Sequence, residues 1–178
     1  MENFTFNDQP DAIRLAFEIS TMGTQIDPEL VLQFHHFQQA YRRMQQAYDQ
    51  VLADADLSES RFIILMLLDQ APHQRLLPSE IADMLGSTRV TVTKLLNRMV
   101  AAHLVEKQAL PTDKRKRRIH LTVAGEKRLA TFLPKHFAVV QSLLGEFTQE
   151  ELVTLHQLLQ KIEGGTQNLT NINDDVGG

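Results

Sequence analysis

The sequence predicts a mainly α fold with one small β-hairpin, and three observations carry that expectation. Apolar residues recur at helical spacing along most of the chain, two short apolar-periodic segments are joined at Gly86, and two short strand-like runs flank Pro111-Thr112-Asp113. The expected order is helices, a tightly turned helix pair, a hairpin, and helices again.

The composition is that of a globular chain. With 43% hydrophobic and 22% charged residues it fits neither wholesale disorder nor a membrane protein. No uncharged apolar run reaches the roughly 18 residues of a spanning helix, and the acidic start MENFTFNDQPD is unlike a signal peptide, so a cytoplasmic location is expected. Cysteine is absent, which excludes disulfides, thiolate metal sites and a cysteine nucleophile.

After Pro10, Ile13, Leu15, Phe17 and Ile19 suggest a short amphipathic helix ending near Met22-Gly23. Asp27 is a good N-cap and Pro28 suits the first helical position. From there apolar or aromatic residues fall at 30, 34, 37, 41, 44, 48, 51 and 55, alternating steps of four and three. Such a repeat marks a seam for another helix, in a dimer or between domains, although the same residues fit packing on the chain's own core. Ser58 caps the next helix, whose run Phe62 to Leu68 is apolar all round and therefore central.

Pro72 stops that helix, Arg75-Leu76-Leu77 allows a very short strand, and Pro78 opens a helix with Ile81, Ala82 and Leu85 inward. Gly86 permits a tight turn, and Ser87 or Thr88 caps a helix running to about Ala102 that buries Val92, Leu95, Leu96 and Met99. Strands are expected from Val105 to Leu110 and from Arg117 to Leu121. Thr122 caps a long helix with Leu129, Phe132, Phe137, Val140, Leu143 and Leu144 on its apolar side and Pro134 bending it. Thr148 to Glu151 form a capping box for a last helix that should stop at Gly164-Gly165, leaving 165–178 as a disordered tail.

Charge placement points to a polyanion. The chain carries a net −4, yet between Thr88 and Arg118 nine Lys or Arg face only Glu106 and Asp113, a local excess of +7. A helix that reads the major groove needs an apolar back and a polar front. The segment after Gly86 offers both, with Ser87, Thr88, Arg89, Val90, Thr91, Thr93, Lys94, Asn97 and Arg98 as its candidate DNA-facing set. Arg89 or Lys94 suits guanine O6 and N7, Thr91 or Val90 a thymine methyl, and Asn97 or Arg98 a phosphate. Downstream, Asp113, Lys114, Arg115, Lys116 and Arg117, followed by Arg118, crowd cations into a turn, where repulsion is costly unless an anion such as a narrow minor groove screens it.

Here the chain resembles a known family. Asp113, Arg115, Leu121 and Thr122 reproduce the D-x-R-x-x-x-x-x-L-T wing signature of the multiple-antibiotic-resistance regulators, winged helix-turn-helix proteins of bacteria and archaea. The resemblance covers about residues 28 to 164. It implies a transcription regulator, more often a repressor, that binds a pseudo-palindromic duplex as a homodimer, with Arg115 entering the minor groove and Asp113 orienting it. It also implies dimerisation helices at 27–56 and 123–164 around a DNA-binding lobe at 57–122, with 1–26 as an N-terminal extension. Two features depart from the pattern. His103 stands where many relatives have glycine, and the extension resembles that of urate-responsive members, whose sensing tryptophan this chain lacks.

Many relatives bind small aromatic anions, which by resemblance makes Phe34, Phe37, Tyr41 and Phe62 a candidate effector pocket, although an aromatic stripe at helical spacing reads first as core. The seven histidines show no tight ligand spacing, so neither metal nor cofactor is expected. No phosphate-binding glycine loop, nucleophile elbow or metalloprotease pair points to an enzyme. The alternative to a duplex reader is a winged-helix protein-interaction or RNA-binding module.

Overall fold

The computed structural model describes residues 26–109 and 117–166, together with 19, 21, 168 and 169. The expected helix after Pro10 lies outside the described residues except at Ile19 and Thr21. The hairpin tip from 110 to 116 and the tail beyond 169 also lie outside them.

Helix α1 spans Pro28–Ala53. Its start follows from Asp27, whose Oδ1 accepts from the Glu29 N–H at 2.9 Å, with Pro28 in the first turn. Helix α2, Glu59–Gln70, is capped by Ser58 and buries Phe62, Ile64, Leu65 and Leu68, the central position its all-round apolar run requires. A 3₁₀ turn at Pro72–Gln74 leads into β1, Arg75–Leu76. Helix α3, Pro78–Met84, buries Ile81 and Ala82, and Glu80 Oε2 reaches back to accept from the Leu77 N–H at 2.6 Å.

Helix α4, Arg89–Ala101, follows within a few residues of α3. Of the two possible caps the structure uses Thr88, whose Oγ1 accepts from the Thr91 N–H at 3.2 Å. Strands β2, Val105–Ala109, and β3, Arg117–Leu121, form the hairpin, and β1 joins β3 to give an antiparallel sheet in the order β1-β3-β2. Leu110, expected in the first strand, lies outside the described residues. Helix α5 spans Val123–Leu144 with Pro134 inside, which leaves the Ala130 carbonyl without its usual helical donor.

The chain divides into two compact units, Met1–Phe132 and Leu133–Gly178. The buried hydrophobic core, from Leu52 to Phe132, belongs to the first. Phe62 and Phe132 meet there edge to face, with ring centroids 5.0 Å apart. In the second unit helix α6, Gln149–Thr166, buries no residue. It begins on the expected capping box: Thr148 N–H donates to Glu151 Oε2 at 2.8 Å and Glu151 N–H donates to Thr148 Oγ1 at 3.3 Å. The Thr148 backbone and hydroxyl hydrogen bonds hold the Glu151 carboxyl below its ordinary range. The helix continues through Gly164 and Gly165 to Thr166, slightly past the expected stop.

One expectation about burial needs correction. Leu95, assigned to the buried side of α4, is only half-buried because it faces a cavity described below. Along the apolar side expected of α5, Leu129 and Phe132 are buried, while Phe137, Val140, Leu143 and Leu144 are 38–61% exposed. Continuity of a stripe along a helix does not by itself supply a surface to cover all of it.

Candidate nucleic-acid interface

Helix α4 is fixed to the lobe by Val92, Leu96 and Met99, each no more than 1% exposed. Its opposite face is polar and open. Thr88, Arg89, Val90, Thr91, Thr93, Lys94, Asn97 and Arg98 are all exposed, and Ser87 is half-buried. The helix and its cap therefore expose every residue of the expected set except Ser87, which precedes them and is half-buried. Some of its hydroxyls are already engaged: Thr93 donates to the Arg89 carbonyl at 2.7 Å, and the Thr88 and Thr91 hydroxyls lie 2.9 Å apart. Arg89, Lys94 and Arg98 form no ion pair among the described residues.

Both ends of the helix pair are set by backbone geometry. At the end of α3 the Ser87 N–H donates to the Ala82 carbonyl and the Gly86 N–H to the Asp83 carbonyl, closing the loop over Gly86 at φ 58°. At the end of α4 the Leu104 N–H donates to the Met99 carbonyl and the His103 N–H to the Val100 carbonyl, with His103 at φ 55°. His103, which stands where many relatives have glycine, therefore takes left-handed backbone, on a side chain that strains there where glycine would not.

The junction to the hairpin is anchored by the last residues of the wing signature. Leu121 is buried, while the Thr122 hydroxyl donates to the His103 carbonyl and accepts from the Gly125 N–H at 3.0 Å. Thr122 thus ties the end of α4 to the start of α5. Gly125 is a residue that sequence reasoning missed. A Cβ there would stand 2.0 Å from the Leu104 carbonyl oxygen, so the close approach of α5 to this junction requires glycine. A glycine inside a helical pattern was the available signal.

In the hairpin, Lys107 pairs with Ile119 and Ala109 with Arg117, which puts Lys107 and Arg117 on the same sheet face as buried Ile119. Glu106, His120, Gln108 and Arg118 occupy the other face, where Glu106 Oε1 lies 3.2 Å from His120 Nε2. Asp113, Lys114, Arg115 and Lys116 lie outside the described residues; Arg117 opens β3 and is exposed.

Of the candidate effector residues, Phe34, Phe37 and Tyr41 are 42–57% exposed on α1, whereas Phe62 is 3% exposed against Phe132. A different cavity, of about 420 Å³, opens in the lobe between α2 and the helix pair. Glu59, Ile63, Ser87, Thr91, Val92 and Leu95 are among its lining residues. Glu59 also accepts from Gln45 Nε2 at 3.1 Å, and partial burial together with this carboxylate raises the Tyr48 phenol above its ordinary range.

The comparisons fit this geometry. A family model described as MarR family matches residues 55–116, the segment from the end of α1 into the hairpin. The chain is 36% identical over 110 residues to the HTH-type transcriptional repressor YetL of Bacillus subtilis, a match that spans 62% of this chain and 66% of that protein. The chain belongs to the MarR family. Its fold is also similar to that in the S. aureus MepR–DNA complex, at 25% identity and TM-score 0.67 over 74% of this chain and 96% of MepR. Bordetella bronchiseptica BpsR, whose DNA binding is regulated by 6-hydroxynicotinic acid, has 25% identity and TM-score 0.62 over 72% of this chain and 91% of BpsR. In MarR-family terms α3 and α4 are the helix-turn-helix, and β2 with β3 is the wing. No helix among the described residues is long and apolar enough to cross a membrane.

Proposed function

We propose that this MarR-family chain is a sequence-specific duplex-DNA-binding transcription regulator, a cytoplasmic repressor that grips a pseudo-palindromic operator as a homodimer. The observation that carries the reading is α4, whose exposed face from Thr88 to Arg98 holds Arg89, Lys94 and Arg98 while Val92, Leu96 and Met99 anchor its back. Arg89 or Lys94 reads guanine edges, Thr91 or Val90 contacts thymine methyls, and the cations of 114–117 follow the adjoining minor groove. The exposed seam on α1, Leu30, Phe34, Phe37, Tyr41 and Met44, supports a second copy as its cover. Nothing in this mechanism calls for catalysis.

The test is fluorescence anisotropy of the protein against its own upstream DNA and a scrambled duplex across a salt series. Tight, salt-sensitive and sequence-selective binding is the expected result. Equal weak binding to both duplexes would leave a basic winged-helix module that recognises protein or RNA. In the same assay Arg115→Ala weakens binding to all duplexes and reduces the salt slope by about one. An unchanged slope would remove Arg115 from the interface.

Control by a small molecule is a second reading, favoured by the lobe cavity. Its 420 Å³ falls within the roughly 300–1,000 Å³ of small-molecule sites, and Thr91, Val92 and Leu95 of the recognition helix form part of its wall. A ligand seated there acts on α4 directly. Aromatic acids and amines titrated into the protein–DNA complex should include one that lowers the anisotropy; an Ile63→Trp variant that fills the cavity should lose that response.

A further inference from the structure

We infer that Lys107 of the wing and Asn97 of the recognition helix together form a preassembled clamp for a single backbone phosphate at the helix–wing junction. The inference rests on the duplex-binding reading above and adds a cation outside both α4 and the hairpin tip.

Lys107 Nζ donates to Asn97 Oδ1 at 2.5 Å across ten residues of sequence, and both side chains are exposed. The register explains how they meet. Lys107 is paired with Ile119, which is fully buried, so the lysine leaves the sheet on the face turned toward the helices, and α4 lies at its end. Its neighbour Glu106 is on the opposite face and pairs with His120, so that carboxylate does not neutralise Lys107.

The direction of the hydrogen bond fixes what the pair can bind. With one lone pair of its oxygen taken by the ammonium, Asn97 still has two amide N–H donors, and Lys107 keeps two further N–H groups. The pair is rich in donors and positively charged. Base edges in the major groove mix donors, acceptors and methyl groups, whereas phosphate oxygens only accept. Lys94 stands one helical turn before Asn97 on the same exposed side, which raises the local positive field. Because the lysine is already held by Asn97, less side-chain freedom is lost on binding.

The experiment uses the full chain and a duplex selected by wild-type binding, with affinity followed by anisotropy across a potassium chloride series. Lys107→Ala should weaken binding roughly tenfold at 0.1 M salt and reduce the magnitude of the log–log slope by about 0.9, the signature of one lost phosphate contact. Lys107→Arg should restore the slope. Asn97→Ala should weaken binding less and keep the slope, because the charge remains while its tether is lost; Asn97→Asp should resemble Lys107→Ala, because the new carboxylate neutralises the ammonium. Thermal melts check that all four variants fold.

A Lys107→Ala slope equal to wild type would overturn the clamp and leave the contact as a tie between helix and sheet. A change in preference at one base pair in Asn97→Ala would overturn it in favour of base reading. Failure of the wild type to bind any duplex would instead defeat the DNA-binding reading itself.

Discussion

Helices α1 and α4 carry the same kind of amphipathic pattern but meet the chain in opposite ways. In α4 the apolar side is satisfied inside the lobe, with Val92, Leu96 and Met99 all but inaccessible. In α1 Leu52 is the buried residue, and five seam positions from Leu30 to Met44 remain 39–63% exposed. Length is part of the reason: 26 residues extend about 39 Å, more than the width of a small domain. The comparison teaches that a helix can present its polar face to a ligand only when its apolar face is already held. A helix whose apolar face stays open calls for a second body instead.

Four measurements can break or sharpen that contrast. The largest effect is expected where α4 is anchored. Leu96→Ala should lower stability by about 2–5 kcal/mol in urea unfolding, since it empties a fully buried site. A loss below about 1 kcal/mol would mean the lobe closes around the gap and the anchor is soft.

On α1 the same kind of probe should act on assembly. Phe34→Glu should leave the unfolding of the lobe largely intact while sedimentation shows a monomer, and affinity for a duplex with two half-sites should fall on the order of 100-fold as bivalent binding is lost. An unchanged sedimentation coefficient would show that the seam does not hold two copies together.

The polar face of α4 should respond with specificity. Arg89→Ala should cost about 1–3 kcal/mol, concentrated at one or two base pairs of the site. A uniform loss across sequences would move Arg89 from base edge to phosphate.

The smallest effect tests the backbone that ends α4. His103→Gly should stabilise the protein by about 1 kcal/mol, read as a higher urea midpoint, by removing a side chain from left-handed backbone. No gain would indicate that exposed His103 makes up for its strain through contacts in the native state. Asp56, at φ 54° after α1, offers a contrasting case. There Arg128 donates to the Ala55 carbonyl at 2.7 Å and to the Asp56 carboxylate at 3.2 Å, so replacing Asp56 with glycine would remove a partner as well as strain.

Much of the architecture was legible because it depends on neighbours in sequence. Asp27, Ser58, Thr88 and Thr148 start helices through hydrogen bonds spanning two or three residues, and Gly86 ends one through its own backbone freedom. The polar face of α4 was legible for the same reason, because the helical period assigns each residue a side. The sequence could suggest a seam on α1 but could not say whether the chain itself covers it.

What only the tertiary structure decided involves residues far apart in the chain or differences of less than one side-chain diameter. Gly125 is required by the Leu104 carbonyl, and Phe62 is taken from the open aromatic group by Phe132. Leu95 stays half-buried at a cavity, and Lys107 reaches Asn97 only because strand register turns it toward α4. Periodicity records which side of an element a residue occupies. Whether that side meets protein, a cavity or solvent depends on elements brought together in space, and no local spacing carries that information.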